Sequence, residues 1–217
     1  MAVITVIIAF AVGFHVIRLN PKELLNIWFT IFFISSSLGF LIYTLYHLIL
    51  NNSQIIIPLM ITAHIFFNFI FISLMMTVFV LEKFKKVAMS LKYFGSMMAL
   101  FIIMNIGYFI WTPELNMTRY AQGIVDTNTP IEWFVFINVV RTLLSIYVVY
   151  KYAMMTRKIE GETKKRVQWF FIGIIFAIVG MFINVIGGFL SSIIIEIIAL
   201  LVIDIGTVAL LKGFLIK

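Results

Sequence analysis

The chain has 217 residues, of which 63% are hydrophobic and only 12% charged, with a net charge of +7 and no cysteine. Soluble domains carry roughly 45–50% apolar and about 25% charged residues, so this composition excludes a water-soluble globule and points to a polytopic helical membrane protein. The missing thiols exclude disulfides, thiolate nucleophiles and cysteine metal sites.

A spanning helix needs about 20 mainly apolar residues. The chain offers seven such runs, at 1–17, 25–50, 55–81, 89–111, 131–153, 167–190 and 193–211. The first run lacks a basic leader and a small-residue cleavage site, so it reads as a retained helix rather than a signal peptide. "RLNPKE" separates spans one and two, "NNSQ" is a short turn and "EKFKK" a charged one. The longest loop follows span four, "TRKIEGETKKR" follows span five, and "GGFLSS" turns the chain between spans six and seven. No loop is long enough to form a core of its own. The reading is therefore a single domain over 1–217, an all-α bundle of seven transmembrane helices.

Charge placement sets the direction. Arg18 and Lys22 follow span one, and Lys83, Lys85, Lys86 and Lys92 surround the turn after span three. Lys151, Arg157, Lys158, Lys164, Lys165 and Arg166 surround the loop after span five, and Lys212 and Lys217 follow span seven. All of these fall on one face, which the positive-inside rule makes cytoplasmic. The N-terminus is then outside, the C-terminus is cytoplasmic, and the protein is multi-pass in the cell membrane. Trp28, Trp111, Trp133 and Trp169 lie at span ends, where indoles favour the interface. The sequons at Asn51 and Asn116 fall in outer loops.

The polar residues inside the spans are distributed unevenly. His64, Asn68, Asn105, Tyr108, Asn138, Arg141, Asn184, Glu196 and Asp204 lie between the outer interface and about the midplane. His64 and Asn68 are four apart, and Asn105 with Tyr108 and Asn138 with Arg141 are three apart, so each pair shares a helix face. Intramembrane polar groups usually face the bundle interior, so these faces are expected to form an outward-opening polar cavity that binds a small solute or ion. Arg141 lies about 15 Å deep at 1.5 Å per residue, and Asp204 lies at a similar depth. An Arg141–Asp204 pair is therefore expected, either as an interhelical lock or as part of a ligand site. The asparagines read as helix–helix glue or as ligand contacts. His64 reads as a hydrogen-bonded histidine. The depths of His15, His47 and His64 do not match for haem ligation, and no cofactor or metal is expected. Gly173, Gly180 and Gly187 recur every seven residues in span six and predict a close helix contact.

Known seven-helix families help to narrow the reading. A retinal protein would carry a mid-membrane lysine in helix seven, where this chain has Asp204. The motifs of G-protein-coupled receptors are also absent. The order Arg157, Lys164, Lys165, Arg166, Gln168, Trp169, Gly173 in "TRKIEGETKKRVQWFFIG" resembles the basic loop and sixth helix of the seven-transmembrane N-terminal sensor region of prokaryotic histidine kinases. No kinase domain lies within the 217 residues. The resemblance implies reception of a signal through the membrane and names no ligand.

Three readings follow. The first is a non-catalytic receptor or sensor-like protein with Arg141, Asp204, Glu196, Asn138, His64, Asn68, Asn105 and Asn184 around its cavity. In this reading Arg157, Lys158, Lys164, Lys165 and Arg166 meet a cytoplasmic signalling partner, or anionic lipid alone. The second is a small-solute or ion transporter or channel, although no internal repeat or interrupted helix is evident. The third is an accessory subunit of a larger membrane complex. The bilayer is the expected partner in every case, a homodimer is compatible with all three, and nucleic acid is not expected. No nucleophile–base pair or phosphate loop argues for an enzyme.

Overall fold

A computed structural model describes residues 2–190 and 192–216. Its seven long helices are α1 (Ala2–Leu19), α2 (Leu24–Leu48), α3 (Ile56–Glu82), α4 (Ser96–Ile110), α5 (Ile131–Lys158), α6 (Gly161–Phe189) and α7 (Ile193–Leu215). Seven segments are long and apolar enough to cross a membrane, consistent with a multi-pass integral membrane protein. The fourth such segment, Lys85–Ile110, is not one continuous helix. A helical turn (Lys85–Ala88) and a π-helical turn (Leu91–Gly95) precede α4. From Leu91 to Ile110 the chain still covers about 30 Å at 1.5 Å per residue. Pro58 sits in the first turn of α3, where its missing N–H leaves no intrahelical bond unmade.

The helices form a ring in which α1 packs on α2, α2 on α3, α3 on α5, α5 on α6, α6 on α7 and α7 on α1. Helix α4 stands outside the ring against α3 and α5, with Ile102, Ile103, Ile106, Phe109 and Ile110 exposed. Apolar exposure of this kind is what a lipid-facing helix requires.

The basic half of the bundle is filled by large apolar side chains. Phe29 of α2, Phe170 of α6 and Phe214 of α7 form a triangle with centroids 4.7–5.1 Å apart, and Leu74, Met76 and Val78 of α3 are fully buried beside them. At the opposite end, β1 (Glu114–Leu115) pairs antiparallel with β2 (Thr127–Asn128) inside the long loop. Leu115, Tyr120 and Val125 of this loop cover Tyr46, Ile56 and Met60.

The "TRKIEGETKKR" segment is not a loop. Helix α5 runs on to Lys158 and α6 starts at Gly161, so only Ile159 and Glu160 connect them. Gly161 has φ +66°, a left-handed conformation that glycine adopts without strain. The basic residues therefore ride on the tip of a continuous helical hairpin.

Candidate functional site

Arg141 projects from α5 towards α3. Its Nε and Nη2 both donate to Asn68 Oδ1, at 2.9 and 2.7 Å, and Nη2 lies 3.5 Å from His64 Nδ1. The guanidinium carbon stands 5.9 Å from the centre of the Phe71 ring, one turn along α3 from Asn68. Asn68 is completely buried. Its Nδ2 donates to Asn105 Oδ1 at 2.9 Å and to the Met104 carbonyl at 3.0 Å, and Asn105 Nδ2 donates to the Phe101 carbonyl. Asn68 thus presents its oxygen to the cation and its nitrogen to α4, which fixes the amide orientation from both sides. An aromatic column continues towards the end that carries the long loop, with His64 stacked on Tyr108 at 5.2 Å and Tyr108 edge-on to Trp133 at 5.8 Å. Trp133 lies directly against Gly107, where a Cβ would collide with the indole.

On its other side Arg141 borders a cavity of about 70 Å³ lined also by Asn138, Asn184, Phe40, Phe71, Met181 and Phe182, among others. A single water needs about 10–15 Å³ of such space, so the cavity has room for several waters or a small polar group. Asn138 Nδ2 donates to the Phe134 carbonyl. Among the described residues, the Asn184 side chain makes no hydrogen bond within the protein. The cavity is floored by α2 and α3 and lies between α5 and α6.

The expected Arg141–Asp204 pair does not form. Asp204 of α7 is turned to α1, where its Oδ2 accepts from Thr5 Oγ1 at 3.2 Å and its buried Oδ1 has no partner. Depth, the basis of that expectation, fixes only height along the bundle. The angular positions of α5 and α7 put the two charges on different seams. Glu196 also stays apart, in the first turn of α7 against Gly187 of α6. The expected cavity therefore gathers Arg141, Asn138 and Asn184, with Asn68, Asn105 and His64 behind the arginine, while Asp204 and Glu196 lie elsewhere. Among the described residues, the three ion pairs are Arg119–Asp126, Lys151–Glu82 and Lys165–Glu162, so Arg141 has no carboxylate counter-charge.

Two polar links escaped the sequence reading. Tyr152, fully buried on α5, donates to Thr77 Oγ1 of α3 at 2.8 Å, and Lys151 pairs with Glu82 at 2.8 Å. Together with Arg141–Asn68 they tie α5 to α3 along its length. Tyr152 lies eleven residues after Arg141, about 20° away around α5 and so close to the same helix face, which is the one signal the sequence offers. Thr5, an isolated hydroxyl in an apolar helix, offers none.

At the basic tip, Arg157, Lys158 and Lys165 are exposed and Lys164 is half-buried. Arg166 departs from the expected partner surface. Its guanidinium lies over the Phe170 and Phe214 rings at 5.6 and 5.8 Å and its Nε is buried, so it belongs to the floor of the bundle.

Protein-family models, characterised proteins and solved structures were all compared with the chain, and none matches it.

Proposed function

We propose that the protein is a non-catalytic seven-helix membrane receptor or sensor-like protein in which Arg141 receives a small anionic group. The observation that carries this reading is a cation held at mid-helix by a neutral amide, without a carboxylate, on the wall of a small cavity. Intramembrane charges are costly and commonly serve ion or ligand sites, and an anion would supply the charge that the fold leaves out.

The same two helices that flank the cavity continue to the basic tip, which the positive-inside rule places at the cytoplasm. An occupant between α5 and α6 alters their separation, and the two-residue connection transmits the change to Arg157, Lys158, Lys164 and Lys165. A ligand shifts such an equilibrium only by its difference in affinity between two states. The resemblance of the basic hairpin to the sensor region of histidine kinases supports the same reading. Packed aromatics below the cavity favour reception over permeation.

The absence of cysteine makes the test direct. Spin labels at Arg157→Cys and Thr163→Cys, in lipid nanodiscs, report the separation of the hairpin arms. Saturating chloride, nitrate or acetate is expected to change the distance distribution, and Arg141→Gln to abolish the change. Anion flux in liposomes would replace this reading with transport, and an unchanged distribution with every anion would remove it.

A further inference from the structure

The seam between α5 and α6 holds a second hollow. It is lined by Ser145, Ile146, Val149, Tyr150, Ile178 and Phe182, and its volume is about 280 Å³. Ile178 and Phe182 also line the Arg141 cavity, so the two spaces adjoin at these side chains. Along α5 the lining of this second hollow runs about 7.5 Å, from Ser145 to Tyr150, and the two spaces together cover about 13 Å from Arg141 to Tyr150. Phe182, on the shared wall, is 40% exposed, and Val185 beside the cavity is 38% exposed. Both spaces therefore open sideways, towards the face that meets lipid.

Among the described residues, no side-chain hydrogen bond joins α5 to α6. Every polar tie of α5 described above goes to α3. With hollows in place of close packing, the seam parts at less loss than the α6–α7 seam, where glycines bring the backbones together. The chemistry of the α5–α6 seam is divided: at one end is a single unneutralised guanidinium with room for a group of a few heavy atoms, and beside it lies a hollow lined mainly by apolar side chains.

We infer that the natural occupant is a single-chain amphiphilic anion, a long-chain carboxylate, which enters from the bilayer between α5 and α6. Its carboxylate binds Arg141, and its alkyl chain lies along the hollow towards Tyr150. This inference rests on the proposed anion site and adds the identity of the tail.

The test uses the full chain in zwitterionic-lipid nanodiscs, with thermal unfolding as readout and dodecanoate, acetate, chloride and 1-dodecanol as probes. Dodecanoate at about one hundred times its Kd is expected to raise Tm by roughly 5–10 °C, while acetate, chloride and dodecanol at the same concentration leave it nearly unchanged. Arg141→Gln is expected to abolish the shift. Val149→Trp fills the hollow without touching Arg141 and is expected to abolish it as well, so a folding defect in one variant does not decide the outcome. Equal, Arg141-dependent protection by acetate or chloride would overturn the tail while leaving the anion site standing. Equal protection by dodecanol would overturn recognition of the head. No Arg141-dependent protection by any anion would overturn both.

Discussion

Along α6, the face that meets α7 and the face that meets α5 are built from different residues. Towards α7, Gly173 and Gly180 bring the backbones together. A Cβ at Gly173 would lie 2.6 Å from Leu210 Cγ and 2.7 Å from the Gly206 carbonyl oxygen, and one at Gly180 would lie 2.6 Å from Ile203 and 2.9 Å from the Ala199 carbonyl oxygen. Gly206 answers from α7, where a Cβ would meet the backbone of Ala177 and Gly173. Towards α5 there are larger side chains with hollows between them. In lipid, helix association draws on packing and polar contacts rather than on hydrophobic expulsion. The glycine seam is therefore a fixed joint, and the α5–α6 seam is one where an occupant competes with lipid at little cost.

The sharpest way to break this contrast is to enlarge residues on each seam. Gly206→Leu forces side-chain atoms into the backbone of α6, and overpacking of this kind costs about 3 kcal/mol or more. Loss of folded protein in gel filtration, or a large fall in Tm, is the expected result. The same assay on Val149→Leu is expected to show almost no change. Similar losses at both positions would mean that the α5–α6 seam is packed as tightly as the other.

A smaller effect separates the two intramembrane charges. Asn68→Leu leaves the Arg141 guanidinium without its acceptor and is expected to cost about 1.5–3 kcal/mol, the range for hydrogen bonds to charged groups. Adding Arg141→Met is expected to recover much of this loss, which a double-mutant cycle measures. Arg141→Met combined with Asp204→Asn is expected to be additive within about 0.5 kcal/mol, since the two side chains share no partner. A coupling of several kcal/mol would restore the direct pair that the geometry denies.

The smallest effect belongs to Ser145, whose buried hydroxyl lacks a partner. Ser145→Ala removes an unpaired polar group and is expected to be neutral or slightly stabilising, by less than about 1 kcal/mol. Chemical unfolding in detergent checks it. The orientation of the whole comparison is checked by single cysteines at Ser53, Thr127 and Thr163, expected to label from outside, outside and inside. Outer labelling of Thr163 would invert the bundle.

The sequence alone determined the seven spans, the basic end and the close approach of α6 to a neighbour. Each depends on local chemistry: runs of apolar residues long enough for a bilayer, lysines and arginines at alternate turns, and glycines that recur at one helical face. It also ranked Arg141 and the asparagines as the residues to explain, because a polar group in hydrocarbon must find a partner. Helix ends were legible to within a few residues, apart from the start of span four, where a π-helical turn precedes Ser96, and the segment after span five. There the charged stretch from Arg157 to Arg166 reads as a loop by hydropathy but is helical almost throughout, because charged residues are good helix formers once the helix leaves the membrane.

The choice of partner was left to the tertiary structure. Depth along a helix is countable from sequence, but the rotation of each helix about its axis and its place in the ring are not. Those two quantities turned Arg141 to Asn68, sent Asp204 to Thr5 and folded Arg166 onto Phe170 and Phe214. They also left hollows along one seam of the ring, between α5 and α6, where no side-chain hydrogen bond crosses among the described residues.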